Sequence, residues 1–162
     1  MSVKSIVFAA AFLGLGASAA LAADKTYGSW KVTCKDGPCQ AFLGLKDPQT
    51  GKLAMSASAH KRADSAHPTL VLTLPLGVDV KAGAAILPGA GAQKPIPAAI
   101  DVCYPDGCRA VIELSPATID ALNAATSFDV RFAAYGVSDR VENVTIPADG
   151  LKEAVASLTA KK

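Results

Sequence analysis

The sequence predicts a mainly β protein: a single antiparallel domain with two short helices and two hairpins, each closed by a disulfide. Four cysteines occur as two pairs with the spacing C-x4-C, and each pair encloses a turn that contains Asp-Gly. Elsewhere, apolar and polar residues alternate in short runs, which is typical of strands with one buried face. One domain is expected because residues 23–162 are enough for one hydrophobic core.

Residues 1–22 have the layout of a secretory signal peptide. One positive charge precedes an apolar run over 6–15, and small residues follow up to Ala22. A membrane anchor is the alternative, but the run is interrupted by glycine and is shorter than the roughly 20 residues that cross a bilayer. We expect cleavage after Ala22, or failing that after Ala23. The mature domain, 23–162, is then expected in the periplasm, at the cell surface or secreted, without a membrane span.

The first cysteine pair predicts the register of a hairpin. If Cys34 lies opposite Cys39, apolar residues share the cysteine face and polar residues share the other face, as in a half-buried strand pair. The apolar set is Trp30, Val32, Ala41 and Leu43. The polar set is Lys31, Thr33 and Gln40. This agreement supports a Cys34–Cys39 disulfide independently of the turn between them.

The second pair, Cys103 and Cys108, encloses Pro-Asp-Gly, which favours a tight turn. If the register has no break, apolar and polar residues separate onto the two faces less clearly here than in the first hairpin. It places Asp101, Ala110 and Ile112 on the cysteine face. It places Ile100, Val102 and Val111 on the other face, together with Arg109. Both faces of this hairpin are therefore expected to be partly buried.

Two other roles are open to the four cysteines. A zinc site is disfavoured because structural zinc usually takes C-x2-C spacing. A thiol oxidoreductase places C-x-x-C at a helix N-terminus, where the dipole lowers the thiol pKa, whereas both pairs here enclose turns. An even number of cysteines in an exported chain favours disulfides. Of the connectivities that four cysteines allow, Cys34–Cys39 with Cys103–Cys108 is predicted, because each turn brings its own pair together.

Outside these hairpins the pattern predicts further strands and two helices. The strands cover 53–60, 69–74, 128–135 and 140–146. In the first of them Leu53, Met55, Ala57 and Ala59 are expected on the buried face. Helices are predicted after Ser115, an N-cap followed by proline, and over 151–158, where apolar residues have helical spacing. The segment 75–97 is rich in Gly, Ala and Pro and is predicted to be an irregular crossover.

Composition and motifs argue against several classes of function. Basic and acidic residues number 16 and 14, so no basic surface for nucleic acid is expected. His60 and His67 do not have the spacing of a zinc site and are expected to be solvated loop residues. The sequence has no nucleophile motif and no phosphate-binding loop. We therefore expect no catalytic residues, no metal and no cofactor.

Three segments resemble the invasion associated locus B family of exported bacterial proteins. They are Tyr27–Cys34 (YGSWKVTC), Leu74–Val78 (LPLGV) and Cys103–Cys108 (CYPDGC). The resemblance covers nearly the whole mature chain, although Leu151 stands where the family pattern has an aromatic residue after Gly150. It implies a periplasmic or surface-exposed β-sandwich with no defined catalytic site, linked in pathogenic members to entry into host cells.

The expected function is therefore binding, by an exported non-enzymatic protein, of an unknown protein or a component of the envelope or host surface. Tyr104 and Arg109 are the candidate contacts, because they flank a rigid turn and belong to the residue types enriched in binding hot spots. A periplasmic inhibitor or chaperone-like module is the first alternative function, and a thiol oxidoreductase is the second.

Overall fold

The computed structural model describes residues 24–34, 38–89 and 94–158. The described residues form ten strands and two helices, and the strand pairs are antiparallel. The first five strands are β1 (Lys25–Tyr27), β2 (Trp30–Cys34), β3 (Cys39–Lys46), β4 (Leu53–His60) and β5 (Thr69–Leu74). The others are β6 (Ala84–Pro88), β7 (Ile96–Tyr104), β8 (Gly107–Glu113), β9 (Ser127–Ala134) and β10 (Val137–Pro147). The helices are α1 (Pro116–Leu122) and α2 (Leu151–Ala156). The predicted signal peptide, 1–22, lies outside the described residues.

The strands form one sheet that curls into a half-barrel, in the order β1-β2-β3-β4-β5-β8-β7-β6-β9-β10. β7 belongs to both halves of this sheet, because 96–98 pairs with β6 whereas 99–104 pairs with β8. The sheet therefore folds over at β7, and a layer of β1 to β5 with β8 faces a layer of β6, β9 and β10. This mainly antiparallel, sandwich-like arrangement is the one predicted.

The core fills the space between the two layers, because alternate residues of each strand point inward. β5 has the predicted alternation, with Leu70, Leu72 and Leu74 fully buried. The facing layer contributes Ile86, Phe128, Val130 and Phe132, all buried. Apolar side chains from both layers thus make one continuous core.

The first hairpin has the predicted disulfide and the predicted register. Cys34 is bonded to Cys39, and the two residues lie directly opposite each other in β2 and β3. Val32 lies opposite Ala41, and both are buried. Trp30 is fully buried on the same face. The alternation of apolar and polar residues therefore predicted the register of this hairpin correctly.

The second hairpin also has its predicted disulfide, Cys103–Cys108, but a β-bulge changes the register beyond it. Ile100 lies opposite Ala110, so Asp101 is the extra residue of the bulge. The prediction that Asp101 shares the cysteine face while Ile100 lies on the other was wrong. The bulge turns Ile100 toward the core, where it is buried, and leaves the Asp101 carboxylate exposed.

A second irregularity lies at the start of β4. Met55 lies opposite Leu45 but Leu53 lies opposite Lys46, so Ala54 is an extra residue. Leu53 consequently lies on the exposed face of the sheet, and the prediction that it shares the buried face with Met55 was wrong. The rest of the predicted buried face is confirmed and consists of Met55, Ala57 and Ala59.

The predicted irregular crossover at 75–97 contains a regular strand, so this prediction was wrong. β6 lies between β7 and β9 in the sheet and buries Ala84, Ile86 and Pro88 on one face. Pro88, which has no N–H to donate, is the last residue of the strand, where a missing donor is tolerated. A strand of five residues can therefore form within a Gly-, Ala- and Pro-rich segment.

Both predicted helices are present. Ser115 caps α1, and its hydroxyl oxygen accepts a hydrogen bond from the Thr118 N–H at 3.2 Å. α2 buries Leu151 and Ala154, and Leu158 is buried just beyond its end. In the described part of the chain, neither helix is long and apolar enough to cross a membrane.

The helices and four connecting segments that surround one groove lie at opposite ends of the strands. α1 follows β8 and precedes β9, while α2 follows β10 and contacts α1. The β7–β8 turn at 105–106 and the β9–β10 turn at 135–136 lie at the other ends of these strands. The β3–β4 turn, 47–52, and the segment after β5, 75–77, lie beside them around one groove. We call these four segments the turn end.

The chain after β10 joins the two outermost strands of the half-barrel. The Ser29 N–H donates to the Asp149 carbonyl oxygen at 3.2 Å, and the Ser29 hydroxyl donates to the Asp149 carboxylate at 2.8 Å. Gly28 and Gly150 have positive φ, and a Cβ on either residue would overlap the other segment's backbone. α2 packs against β1 and β2 beside this contact. The half-barrel is thereby closed on this side without strand pairing.

Candidate partner-binding surface

The second disulfide-closed turn is held against the end of β5. Pro105 and Asp106 form its two central residues, between Tyr104 in β7 and Gly107 in β8. Gly107 has φ +136°, and a Cβ there would overlap the Leu74 carbonyl oxygen. A side chain at this position would therefore push the turn away from β5, which explains the glycine.

The structure brings Tyr104 and Arg109 together on this turn. The guanidinium carbon of Arg109 lies 5.4 Å from the centre of the Tyr104 ring, within range of a cation–π interaction. Arg109 also binds an Asp106 carboxylate oxygen through Nη2 at 2.7 Å and donates through Nη1 to the Gly107 carbonyl oxygen at 3.3 Å. Arg109 is consequently engaged in holding the turn. Tyr104 is 52% exposed and presents its ring to solvent.

A groove opens between the two layers at the turn end, next to this turn. Its volume is about 870 Å³, which is within the usual range for ligand-binding clefts. Apolar residues from both layers line it and include Leu45, Met55, Val78, Phe132 and Val144. Pro105 and Asp106 line it as well, so the disulfide-closed turn is one wall of the groove.

Charged residues surround the groove, and most of them are bonded to one another or to the backbone. Arg140 donates through Nε to a Glu142 carboxylate oxygen at 2.6 Å. Asp47 accepts hydrogen bonds from the Thr50 N–H at 2.7 Å and the Gln49 N–H at 2.9 Å. The hydrogen bonds from Thr50 lower the pKa of Asp47 below its ordinary value. The β3–β4 turn is therefore held by a carboxylate that stays ionised.

Large apolar side chains protrude from the turns around the groove, and sequence reasoning missed them as a surface. Leu53, Leu76 and Tyr135 are 58%, 59% and 77% exposed. Leu53 and Leu76 both line the groove, and the Tyr135 N–H donates to the Gly77 carbonyl oxygen at 2.8 Å, which places these turns side by side. The available signal was a large apolar residue inside a turn sequence, such as Leu76 between proline and glycine.

The two histidines lie away from this surface. His60 is the last residue of β4, where the strand predicted over 53–60 ends, but it is half-buried, so the expectation that it is solvated was wrong. Burial, and to a lesser extent the charge of Arg62, lowers the pKa of His60 below its ordinary value. His67 lies in the β4–β5 loop, with Nε2 3.8 Å from a Glu113 carboxylate oxygen. Among the described residues, no group of His, Cys, Asp and Glu side chains is arranged to hold a metal ion.

A family model described as "Invasion associated locus B (IalB) protein" matches residues 29–159. The chain belongs to the IalB family. The match runs from the β1–β2 turn to just beyond the end of α2. It leaves out β1 but includes both disulfides and the groove. The resemblance inferred from the three sequence segments is thus confirmed, even though Leu151 departs from the expected aromatic residue.

A solved structure of a protein with a similar description has the same fold. The crystal structure of invasion associated protein B from Bartonella henselae is similar with a TM-score of 0.74, covering 83% of this chain and 94% of that one. The two sequences are 21% identical, so the likeness establishes the IalB half-barrel rather than a common activity. No curated protein matches the chain.

Proposed function

We propose that this IalB-family chain is an exported, non-catalytic binding protein of the cell envelope or cell surface, and that Tyr104 makes the principal contact with its partner. The exposed Tyr104 ring beside a disulfide-closed turn carries this proposal. Arg109 lies against the ring, and the disulfide fixes the strand that bears it. A side chain held in this way loses little conformational entropy on binding, and tyrosine is enriched in binding hot spots.

The apolar groove supports the same proposal. It adjoins the turn that carries Tyr104 and is lined by exposed Leu53 and Leu76. Groups of exposed apolar residues with a charged rim mark interaction sites more often than ordinary surface. Support for a non-catalytic role comes from the disulfides, which join opposed strand residues instead of lying at a helix N-terminus, where a redox-active cysteine would be activated.

The proposed location outside the cytoplasm rests on residues 1–22 and on the two disulfides, which persist in oxidising compartments. The intact mass of protein purified from a periplasmic extract tests it. A mature chain that begins at Ala23 or Asp24 is expected. A species there that still begins at Met1 would contradict this location signal.

Site-specific photo-crosslinking in living cells tests the proposed contact. A photoreactive phenylalanine analogue replaces Tyr104 in one strain and Phe42, an exposed aromatic residue on the outer face of β3, in a matched strain. Crosslinks are expected at 104 and not at 42. Crosslinks confined to 42, or absent from both, would refute the proposal. The crosslinked component also shows what the chain binds: an envelope molecule, a host-cell molecule, or a protein that the chain inhibits or helps to fold.

A double variant separates binding from folding. Tyr104→Ala with Arg109→Ala removes the exposed ring and the group that holds it. In a pull-down, the variant is expected to lose capture of the component that crosslinking identified, while its melting temperature stays nearly unchanged, because neither side chain belongs to the hydrophobic core. Unchanged capture with an intact fold would show that the turn is only structural.

A further inference from the structure

β10 is an outermost strand of the half-barrel, and the hydrogen bonds around it show which of its backbone groups point away from β9. In an antiparallel pair, alternate residues bond the neighbouring strand and the residues between them face the other side. Just beyond β10, the Ala148 N–H donates to the Thr126 carbonyl oxygen at 2.9 Å, so even-numbered residues here face β9. Odd-numbered residues therefore face the outer edge, as the Pro147 carbonyl oxygen does when it binds Trp30.

The outer edge of β10 is occupied beside the helices but free toward the turn end. Near the helices, hydrogen bonds from Trp30 and Ser29 hold it and the segment that follows. Three further residues of β10 face outward; they are Val141, Asn143 and Thr145. Their outward N–H and C=O groups have no hydrogen-bond partner among the described residues. A strand edge of this kind is a template for pairing with another strand.

The two outermost strands of the sheet differ in how far they are protected. β1 has three residues, and α2 packs against it. Short edge strands and covering helices prevent pairing with another chain. The free part of β10 has no such cover, and exposed apolar side chains lie along it and beside it: Tyr135, Val137 and Val141. Exposed apolar groups of this kind mark an interaction site rather than ordinary surface.

Two charged residues flank the outward-facing Val141 and restrict which strand can pair with it. Arg140 and Glu142 lie on the same face of β10, because the Arg140 Nε donates to a Glu142 carboxylate oxygen at 2.6 Å. Such charges keep most strands from an edge, because placing them against uncharged side chains costs free energy. β10 itself satisfies both charges. An antiparallel copy that meets it at Val141 places each arginine opposite the glutamate of the other chain.

We propose that two copies of this chain associate through β10, with antiparallel strands related by a two-fold axis at Val141. The Val141 N–H of each copy donates to the Val141 carbonyl oxygen of the other, and two Arg140–Glu142 ion pairs flank these hydrogen bonds. The interface is isologous, because the same residues meet on both copies. Both grooves open on the same side of the joined sheets, since Arg140 and Glu142 line the groove. The contact does not involve Tyr104, which lies in β7.

Sedimentation equilibrium of the mature, oxidised protein tests the association. An interface of a few strand residues is small, so the dimer is expected to be weak and to form between about 1 µM and about 1 mM. Because exposed charges are screened, the dimer is expected to dissociate more readily as NaCl rises from about 0.05 to about 0.5 M. A chain that stays monomeric over the whole concentration range at low salt overturns the proposal.

Reversal of each charge tests the two-fold axis at Val141. Arg140→Glu alone and Glu142→Arg alone each place like charges opposite one another and are expected to raise the dimer dissociation constant at least about tenfold. An equimolar mixture of these two variants is expected to restore association, because every charge then meets its opposite in the heterodimer. Recovery in the mixture also shows that both variants are folded. The matched controls, Arg62→Glu and Asp64→Arg, alter another exposed ion pair two residues apart and leave association unchanged.

Amide hydrogen exchange locates the contact within β10. The Val141 N–H is expected to exchange slowly at concentrations where the dimer forms and rapidly in the Arg140→Glu variant alone. The Glu142 N–H, which faces β9, is expected to stay protected in both. Association that neither charge reversal weakens, or that the mixture fails to restore, overturns the pairing at Val141. Slow exchange of the Val141 N–H in a monomeric sample also overturns it, because the edge would then already be occupied.

Discussion

The indole Nε1 of Trp30 donates a hydrogen bond to the carbonyl oxygen of Pro147, 3.1 Å away and 117 residues later in the chain. Trp30 begins β2 and Pro147 ends β10, and these strands are not neighbours in the sheet. The ring is fully buried and Pro147 is half-buried, so this hydrogen bond is partly shielded from water. Together with the Ser29–Asp149 contacts, it closes a gap that the strands leave open.

Replacing Trp30 by Phe removes the N–H donor and one ring of the indole but keeps an aromatic side chain in the core. The variant leaves the Pro147 carbonyl oxygen without its donor, so the free energy of unfolding is expected to fall by about 1–3 kcal/mol. Trp30→Ala, which also removes the apolar ring, is expected to cost about 3–5 kcal/mol. Urea unfolding followed by circular dichroism measures both. A Phe variant as stable as the original chain would show that the hydrogen bond contributes nothing.

Two glycines with nearly the same φ form a matched pair. Gly150 has φ +80° and Gly136 has φ +75°, but only at Gly150 would a Cβ overlap another backbone atom, the Tyr27 carbonyl oxygen. Gly136→Ala is expected to cost only the left-handed backbone penalty, about 1 kcal/mol. Gly150→Ala is expected to cost at least about 2 kcal/mol more, because the closing segment must move. Thermal unfolding of the two variants gives the difference, and equal losses would contradict the close approach.

Removal of each disulfide by paired Cys→Ala substitution is a further matched comparison. Both disulfides have a sequence separation of five, so the loss of chain constraint is the same, about 2 kcal/mol in each case. Without Cys103–Cys108, we also expect fewer crosslinks from position 104, because Tyr104 is no longer held. Loss of Cys34–Cys39 should leave those crosslinks unchanged. Denaturant unfolding and the in-cell crosslinking yield report the two effects separately.

Stability is expected to depend on pH through His60. Because burial lowers the pKa of His60 below 6.5, the unfolded chain binds more protons than the folded chain between that lowered pKa and 6.5. The free energy of unfolding therefore falls as pH falls through this window. His60→Gln is expected to flatten this part of the profile. Urea unfolding between about pH 7.5 and pH 5 measures it, and an identical slope in the variant would exclude His60 as the cause.

Alternation of apolar and polar residues predicted strands where the pairing is uninterrupted. β5 is the clearest case, because every second residue is buried over its full length. The first hairpin was equally predictable, since its cysteines specify the register and the residues around them agree with it. In both cases one local pattern determines which face is buried.

Bulges could not be predicted from the same pattern. The bulges at Asp101 and Ala54 each add one residue to a strand. Each bulge moves the side chains beyond it to the opposite face of the sheet. Neither position has a composition that distinguishes it from an ordinary strand residue. β6 was missed for a different reason, because pairing with β7 on one side and with the distant β9 on the other compensates for a weak local preference.

The candidate site was predictable only in part. Tyr104 and Arg109 were found because a cysteine pair and a turn sequence lie beside them. The groove and the exposed Leu76 and Tyr135 were not found, because they depend on turns that are separated in sequence and meet only in the folded half-barrel. The prediction that Tyr104 contacts a partner remains to be tested.

The distance in sequence between the two closing segments sets an order for folding. Each disulfide ring spans a separation of five, so each hairpin can be oxidised as soon as its own residues have reached an oxidising compartment. Trp30 reaches its buried position only after Pro147 and the turn at Gly150 have been made. Contacts of such long range form slowly. We therefore expect the N-terminal strands to remain accessible to proteases until the segment that contains Pro147 has joined them.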